Sequence, residues 1–571
     1  MNSPLIIPRY KRNALQVGVL LCLFGIMGRL VHLQLYHYQT LLAKSRKNFL
    51  RHETIWPQRG NILDCNGNLL VTNRPATDLY WQGTGNRPLT HEQLAILEIV
   101  QEIENKTFDD ELLQLVKRAE RMSTQQLIID DITLEQLSKI AEQFPEHPNI
   151  LIQNTFKRHY PYNDTACHVV GYINHLQDTG QMGIERVFDD ALRGEHGTFV
   201  KTINSTGRPL SAYTLHNAIR GADVTTTINI DIQHMAEALF PPDESGTFIV
   251  MDPSNGAILT LVSRPTFDPT VFIEGLNQEE WQQLSEKKPF VNRALGACYP
   301  PASLFKMVTI AAALEEGIIS TDTAWLCKGY IQFGRKTKCN KQHGWLDVKE
   351  AIAHSCNIPF YEIAKKLHID KLAHYAQAFG LGQPTGILFP EKQGLVPTTK
   401  WKRAQLGERW WPGETLSASI GQSYTLVTPL QMARMISSIC THKLVRPRLL
   451  PQEPVEIKPL GISSVTCRFL QKGMREVVKE GKAKTLNTID DLTVYAKTGT
   501  AQTCALDTGL EGKQYCAHAW LGGYFTYKNE KPLTIVIMIE SAGSSSAATR
   551  VAKQFLVKYR NWKREQERVV A

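Results

Sequence analysis

The sequence predicts an α+β fold, a sheet with helices packed around it, behind an N-terminal membrane helix. Strand-like strings recur along the second half of the chain, among them Thr225-Thr226-Thr227-Ile228, Val494-Tyr495-Ala496-Lys497 and Leu533-Thr534-Ile535-Val536-Ile537-Met538-Ile539. Helix-patterned stretches separate them. The clearest runs from Phe305 to Leu314, apolar and Ala-rich, and closes at Gly317. At the front, residues 14–35 form a nearly unbroken apolar run. A chain of 571 residues exceeds one comfortable core, so two or more globular units are expected.

The elements follow in order. Residues 1–13 are a short tail and 14–35 an anchor, which at about 1.5 Å per residue spans the roughly 30 Å hydrocarbon core. Arg29 and His32 fall in its outer third, where they can snorkel. A cleaved signal peptide is the competing reading, but no small-x-small site follows the apolar run. Basic residues flank both ends, so orientation rests on the short tail and the long domain beyond, which put the N-terminus inside. Residues 36–220 form a first region, opening with a strand pattern and an Asn-Gly turn over Pro57 to Gly67. Within it, residues 89–147 are polar and helix-patterned, an inserted helical head. A second domain, 221–571, opens near Gly221 with a helix from Asp231 and a hairpin from Phe248 to Leu259 that turns at Pro253-Ser254-Asn255-Gly256.

Composition narrows the function. Apolar content of 43% and charged content of 21% are those of an ordinary folded protein. The net charge of +9 is dispersed, with no zinc finger, RNP-like string or basic helix, which argues against a nucleic-acid partner. It suits work beside anionic membrane and wall polymer. Eleven cysteines at uneven spacing are no disulfide scaffold. Cys504 and Cys516, which bracket a loop, are one candidate bridge for an exported protein.

Three strings carry chemistry: Ser303-Leu304-Phe305-Lys306, Ser355-Cys356-Asn357 and Lys497-Thr498-Gly499. They spell S-x-x-K, S-x-N and K-T-G, in the order of the penicillin-recognising serine acyltransferases. Acyl transfer needs a hydroxyl nucleophile, a nearby base and donors for carboxylate and oxyanion. Lys306 lies three positions after Ser303, so on a helix the two share a face. Ser285-Glu286-Lys287-Lys288 also matches S-x-x-K but sits in a charged, surface-type stretch. For Ser303 the bland alternative is a helix N-cap; for Ser355 and Asn357, a polar turn; for the Lys497 strand, edge protection.

With these strings the chain resembles the class B penicillin-binding proteins, and within them the elongation-type penicillin-binding protein 2 subgroup. The resemblance covers nearly the whole chain. It includes Arg59-Gly60, Asp64, Gly183-Ile184-Glu185, Asn292-Arg293-Ala294, Trp401-Lys402, Trp411-Pro412-Gly413-Glu414-Thr415 and Thr428-Pro429-Leu430-Gln431. It departs at Ala302, where Gly is usual, and at Cys65, where Arg is usual. The resemblance implies a pedestal of dimerisation type with a head, then a transpeptidase domain whose five-stranded antiparallel sheet is flanked by helices. It implies peptidoglycan D,D-transpeptidase activity during cell elongation, through a serine acyl-enzyme that β-lactams also form, with D-Ala-D-Ala carboxypeptidase activity possible.

In that reading Ser303 is the nucleophile and Lys306 the base, with Ser355 relaying the proton and Asn357 binding Lys306 and the substrate amide. Lys497, Thr498 and Thr500 bind the substrate carboxylate, and Gly499 lets the backbone approach. The amides of Ser303 and Thr500 form the oxyanion hole, while His518 and Trp520 are packing residues. The implied location is the cell inner membrane, single-pass, with the catalytic domain periplasmic. Implied partners are stem peptides, a SEDS-type (RodA-like) glycosyltransferase and a rod-shape scaffold protein. No organic cofactor is implied. Cys327, Cys339, His343 and Cys356 fall in one short segment and could close a tetrahedral zinc shell. Some relatives carry zinc there on a mixture of Asp, His and Cys. A Cys327–Cys339 disulfide is the alternative. A β-lactam sensor would need several spans and an H-E-x-x-H string, and a soluble β-lactamase would need neither anchor nor pedestal.

Overall fold

A computed structural model of the chain describes residues 9–86, 88–145, 147–174, 178–203, 209–502 and 516–570. Cys504, and with it the candidate Cys504–Cys516 bridge, lies outside the described residues. The chain packs as two units. One comprises residues 1–58, 73–157 and 194–221; the other comprises 59–72, 158–193 and 222–571.

In the first unit, Arg12–Tyr36 is helical, long and apolar enough to cross a membrane. Strands Leu50–Ile55, Gly197–Ile203 and Pro209–His216 form a three-stranded antiparallel sheet. The expected helical head contains helices His91–Glu104, Asp110–Met122 and Leu134–Gln143. Thr90 and Thr133 cap two of them with reciprocal Gln bonds, and Asp109 caps the third. The head also holds a strand the sequence reading did not foresee, Gln125–Ile129, paired antiparallel with the end of Leu69–Gln82. Its core is Leu79, Trp81, Leu97, Val100, Val116 and Ile140. Glu120 is buried inside this core and accepts from Trp81 Nε1 at 2.9 Å and Thr84 Oγ1 at 2.6 Å. Burial pushes its pKa up, but these bonds outweigh it and hold the carboxyl below its ordinary value.

The second unit is built on a five-stranded antiparallel sheet. Its strands are β1 (Gly246–Met251), β2 (Ile258–Arg264), β3 (Leu492–Ala501), β4 (His518–Tyr527) and β5 (Leu533–Ile539), in the order β2-β1-β5-β4-β3. β3 is therefore an edge. Around the sheet stand α1 (Lys306–Glu315), α2 (Val348–Ala353), α3 (Ile358–Ala364), α4 (Ile369–Ala378), α5 (Thr399–Leu406), α6 (Pro412–Ser419), α7 (Pro429–Thr441), α8 (Ser464–Lys479) and α9 (Ser546–Val570). One face of the sheet carries α7, buried from Pro429 to Ile439, with Ser437 and Thr534 sharing a 2.8 Å hydroxyl bond. The other carries α9, whose Phe555 meets Phe248 with ring centroids 4.8 Å apart. Because β1, β4 and β5 are covered on both faces, they read as continuous apolar runs rather than alternating ones.

Several residues that carried the resemblance serve this scaffold. Glu185 is fully buried and receives Arg59 Nε at 2.8 Å and Arg158 Nε at 2.6 Å, while Arg59 Nη2 also reaches Asp189 at 2.7 Å. Asp64 accepts from the amides of Asn66, Asn68 and Ile230. Lys402 is buried between Glu414 and Glu408, and Arg293 and Tyr299 share Glu540.

Candidate active site

Ser303 lies in a 3₁₀ turn, Ala302–Leu304, immediately before α1, rather than in the first turn of the helix itself. Two features bend the chain there. Ala302 adopts φ +49°, a left-handed conformation that disfavours a side chain. The Ala302 amide donates to the Gly421 carbonyl at 2.9 Å, and a Cβ on Gly421 would lie 2.2 Å from Ala302 O. A left-handed conformation at position 302 would suit glycine better than the alanine found there. The cap of α1 is Phe305 with no side-chain bond, so Ser303 is not an N-cap. In a turn of three residues per revolution, positions 303 and 306 stand one above the other.

Lys306 is fully buried. Its Nζ donates to Asn357 Oδ1 at 2.7 Å, Ser355 O at 2.9 Å and Ser355 Oγ at 3.2 Å, and lies 4.8 Å from the centre of the Phe360 ring. Burial lowers its pKa to about 7, helped by repulsion from Lys482. The second string reaches Lys306 through the way α2 ends. Ser355 takes φ +54°, its amide bonds Ile352 O and the Cys356 amide bonds Ala351 O. This is a Schellman closure, with a serine at the position glycine usually fills. It turns Ser355 and Asn357 toward Lys306.

The third string is the outer half of β3. Lys497 is fully buried, donates to Thr498 O at 3.1 Å, and has its pKa pushed well below the ordinary value by burial, then by Lys306 and Lys482. Thr498 Oγ1 is buried without a partner among the described residues. Gly499 is needed for space: a Cβ would come within 2.8 Å of Leu304 Cδ1 and 3.4 Å of Ala302 Cβ. The strand therefore lies directly on the Ser303 turn. Thr500 is exposed at the edge, and its Oγ1 accepts from the Ser545 amide at 3.2 Å. His518 and Trp520 pack against Tyr299. Ser285 sits in the separate helix Gln278–Glu286, with Lys288 exposed beyond its end.

Cys327, Cys339, His343 and Cys356 do converge, their ligand atoms all within 4.8 Å of one another. Cys339 Sγ lies 3.7 Å from Cys356 Sγ, and His343 Nδ1 lies 3.4 Å from Cys327 Sγ. Ligands about 2.3 Å from a tetrahedral zinc stand about 3.8 Å apart, so the cluster fits that ion. Cys327 and Cys339 are both free thiols in this structure, with no disulfide between them. The hydrogen bond from Cys356 holds Cys339 below, and pushes Cys356 above, the ordinary thiol pKa. The Asn357 amide donates to Cys339 Sγ at 3.3 Å, joining the cluster to the S-x-N string.

Sequence reasoning missed Lys482. Its amide bonds Ala353 O at 3.4 Å, two residues before Ser355, and its charge acts on both Lys306 and Lys497. The signal was the Gly481-Lys482 pair just past α8: a Cβ on Gly481 would lie 2.4 Å from Ala353 O, so only glycine lets this turn approach α2.

The penicillin binding protein transpeptidase domain model matches residues 246–557, and the penicillin-binding protein dimerisation domain model matches residues 54–226. The chain is 28% identical to the peptidoglycan D,D-transpeptidase MrdA of Haemophilus influenzae over 95% of this chain and 90% of that protein. It is 27% identical to the Escherichia coli protein of the same name, over 95% and 92%. The penicillin-binding protein PBP2 of Helicobacter pylori, solved in complex with MreC, is similar at TM-score 0.78 and 26% identity, covering 89% of this chain and 98% of that one. The chain belongs to the penicillin-binding protein family, with its dimerisation and transpeptidase domains.

Proposed function

We propose that this penicillin-binding protein family member is a peptidoglycan D,D-transpeptidase of cell elongation, working through an acyl-enzyme on Ser303. The supporting observation is the convergence of the buried Lys306 ammonium on Ser355 and Asn357, beside the edge strand that packs on the Ser303 turn. With a pKa of about 7, a large share of Lys306 is neutral near neutrality and can accept the Ser303 proton. Ser303 Oγ then attacks the carbonyl of the D-Ala-D-Ala bond, while the amides of Ser303 and Thr500 hold the oxyanion. The C–N bond breaks, the terminal D-alanine leaves with a proton relayed through Ser355, and an ester remains on Ser303. An amine of a neighbouring stem peptide attacks that ester and restores the hydroxyl. Water in its place gives carboxypeptidase activity. A β-lactam opens at the same serine and stays.

Lys497, Thr498 and Thr500 hold the terminal carboxylate of the donor peptide, which pairs with edge strand β3. The orphaned Thr498 hydroxyl supports that role, since a buried donor without a partner awaits one. Asn357 orients Lys306 and meets the substrate amide. Cys327, Cys339, His343 and Cys356 would hold one zinc ion, whose closed shell supplies rigidity rather than a reactive water. The reaction needs no organic cofactor.

The same reading assigns residues 1–13 to the cytoplasm, 14–35 to a single-pass inner-membrane anchor, 36–220 to the pedestal with its head near 89–147, and 221–571 to a periplasmic transpeptidase domain. Its partners are a rod-shape scaffold protein of the MreC kind and a RodA-like glycosyltransferase. The test is mass spectrometry of the full chain after labelling with a fluorescent penicillin. One adduct is expected, on Ser303, and none in Ser303→Ala. An adduct on Ser285 or Ser355 would overturn the assignment.

A further inference from the structure

The second unit contains a cavity of about 790 Å³ that the acyl-transfer cluster does not use. Lys365, Lys366, Lys400, Arg403 and Arg409 line it, with no acidic side chain among its lining residues. Among the described residues, only Lys365 of these five is in an ion pair, with Glu362 at 2.7 Å. The neighbouring carboxylates are already engaged. Glu414 and Glu408 hold buried Lys402, and Asp370 accepts from the Thr399 amide and hydroxyl at 2.8 and 2.7 Å. Trp410 forms one wall and is fixed by its 2.9 Å bond from Nε1 to Thr415 Oγ1. Four uncompensated cations around one concavity repel one another and concentrate anions.

The placement suggests which anion. α3 begins beside Asn357 and ends at the cavity, which Ala364 lines. α6 begins at the cavity with Pro412 and ends just before Gly421, which grips the Ser303 turn. Each helix is about 10 Å long at 1.5 Å per residue. Three extended residues of a bound peptide cover about the same distance. Transpeptidation needs two peptides at once, and Lys497 serves only the donor. The acceptor carries free carboxylates a few residues from its reacting amine.

We propose that this cationic cavity binds the carboxylates of the acceptor stem peptide and so delivers its amine to the acyl-enzyme. The proposal rests on the transpeptidase reading above. Trp410 gives the peptide, or the sugar it hangs from, a flat apolar wall, and the lysines and arginines fix its charged groups.

The test uses the full chain in detergent with a depsipeptide donor. The acceptor is a synthetic stem tripeptide bearing a diamino acid, its carboxylates either free or amidated. In the wild type, the free acceptor should half-saturate at a concentration at least tenfold below the amidated one. In Lys400→Glu/Arg403→Glu the free acceptor should lose that advantage, while penicillin acylation of Ser303 stays within twofold, which also reports an intact fold. Equal saturation by free and amidated acceptor in the wild type, a comparison that needs no variant, would overturn the proposal. So would an unchanged acceptor dependence in the double variant, including the case in which that variant instead loses binding to phosphatidylglycerol vesicles. Failure of the wild type to acylate at Ser303 would fault the underlying reading, a result separable from all of these.

Discussion

Acylation of Ser303 should follow the neutral fraction of Lys306, which makes its pH dependence calculable. Burial, with repulsion from Lys482, lowers the Lys306 pKa to about 7. Half of the enzyme then holds a competent base at pH 7, about a tenth at pH 6 and about a hundredth at pH 5. The labelling rate should therefore fall about fivefold from pH 7 to 6, about tenfold per unit below that, and level off above pH 8. Lys482→Thr removes a like charge and so raises the Lys306 pKa, moving the acid limb to higher pH. Lys482 is exposed, so solvent limits the effect to roughly half to one unit, a two- to fivefold slower acylation at pH 7. High salt should shrink the difference between wild type and variant. The assay is rapid-quench labelling with a fluorescent penicillin between pH 5 and 9. A rate that is flat from pH 6 to 8, or a limb that Lys482→Thr leaves in place, would refute the argument. The same depressed pKa carries a stability consequence of definite sign. Between about 7 and 10.5 only the unfolded chain holds the proton, so this group makes folding more favourable as pH rises through that window.

Glu185→Ala should cost about 3–5 kcal/mol, read as a lower urea midpoint, because it strands the buried guanidinium groups of Arg59 and Arg158. Gly421→Ala should nearly abolish penicillin labelling, since φ +73° and a 2.2 Å approach to Ala302 O leave no room for a Cβ; labelling at the wild-type rate would show that the turn adapts. Protein prepared without added metal should carry about one zinc per chain, and Cys356→Ser should lower zinc content and melting temperature and slow acylation. Metal-free protein of unchanged stability would count against the cluster.

How legible each part was depended on the range of the interaction behind it. The strands were visible because sheet burial on both faces leaves runs such as Leu533 to Ile539, and the Ser303 helix because Phe305 to Leu314 is apolar throughout. The four metal-type ligands were legible because three of them lie close together in the sequence and the fourth, Cys356, sits inside a motif already singled out. The head strand Gln125–Ile129 was missed because five residues, two of them Gln, give too little alternation to stand out between helices. The partnership of Arg59 with Glu185 spans 126 positions, and nothing local to either string announces it. Lys482 and the cationic cavity were hidden for the same reason, since their meaning comes from segments that only folding brings together.

The S-x-N string shows why its residue types could be read and its geometry could not. A serine at φ +54° costs about 1 kcal/mol relative to glycine, and nothing in Ser355-Cys356-Asn357 announces a left-handed residue. Glycine would relieve the strain but would remove the hydroxyl 3.2 Å from Lys306 Nζ. Three contacts offset the strain instead. The Cys356 amide closes α2 onto Ala351 O, the Asn357 amide bonds Cys339 Sγ, and Lys306 draws Ser355 O and Asn357 Oδ1 inward. Two of the three fasten the residues that follow the strained serine, and one of those runs through a sulfur of the Cys/His cluster. Under the proposed reading the cluster would act on acylation through the backbone of residues 355–357, while Gly499 sets the Lys497 strand against Leu304 and Ala302. Loosening the cluster should accordingly slow the attack of Ser303 more than it weakens initial, non-covalent β-lactam binding.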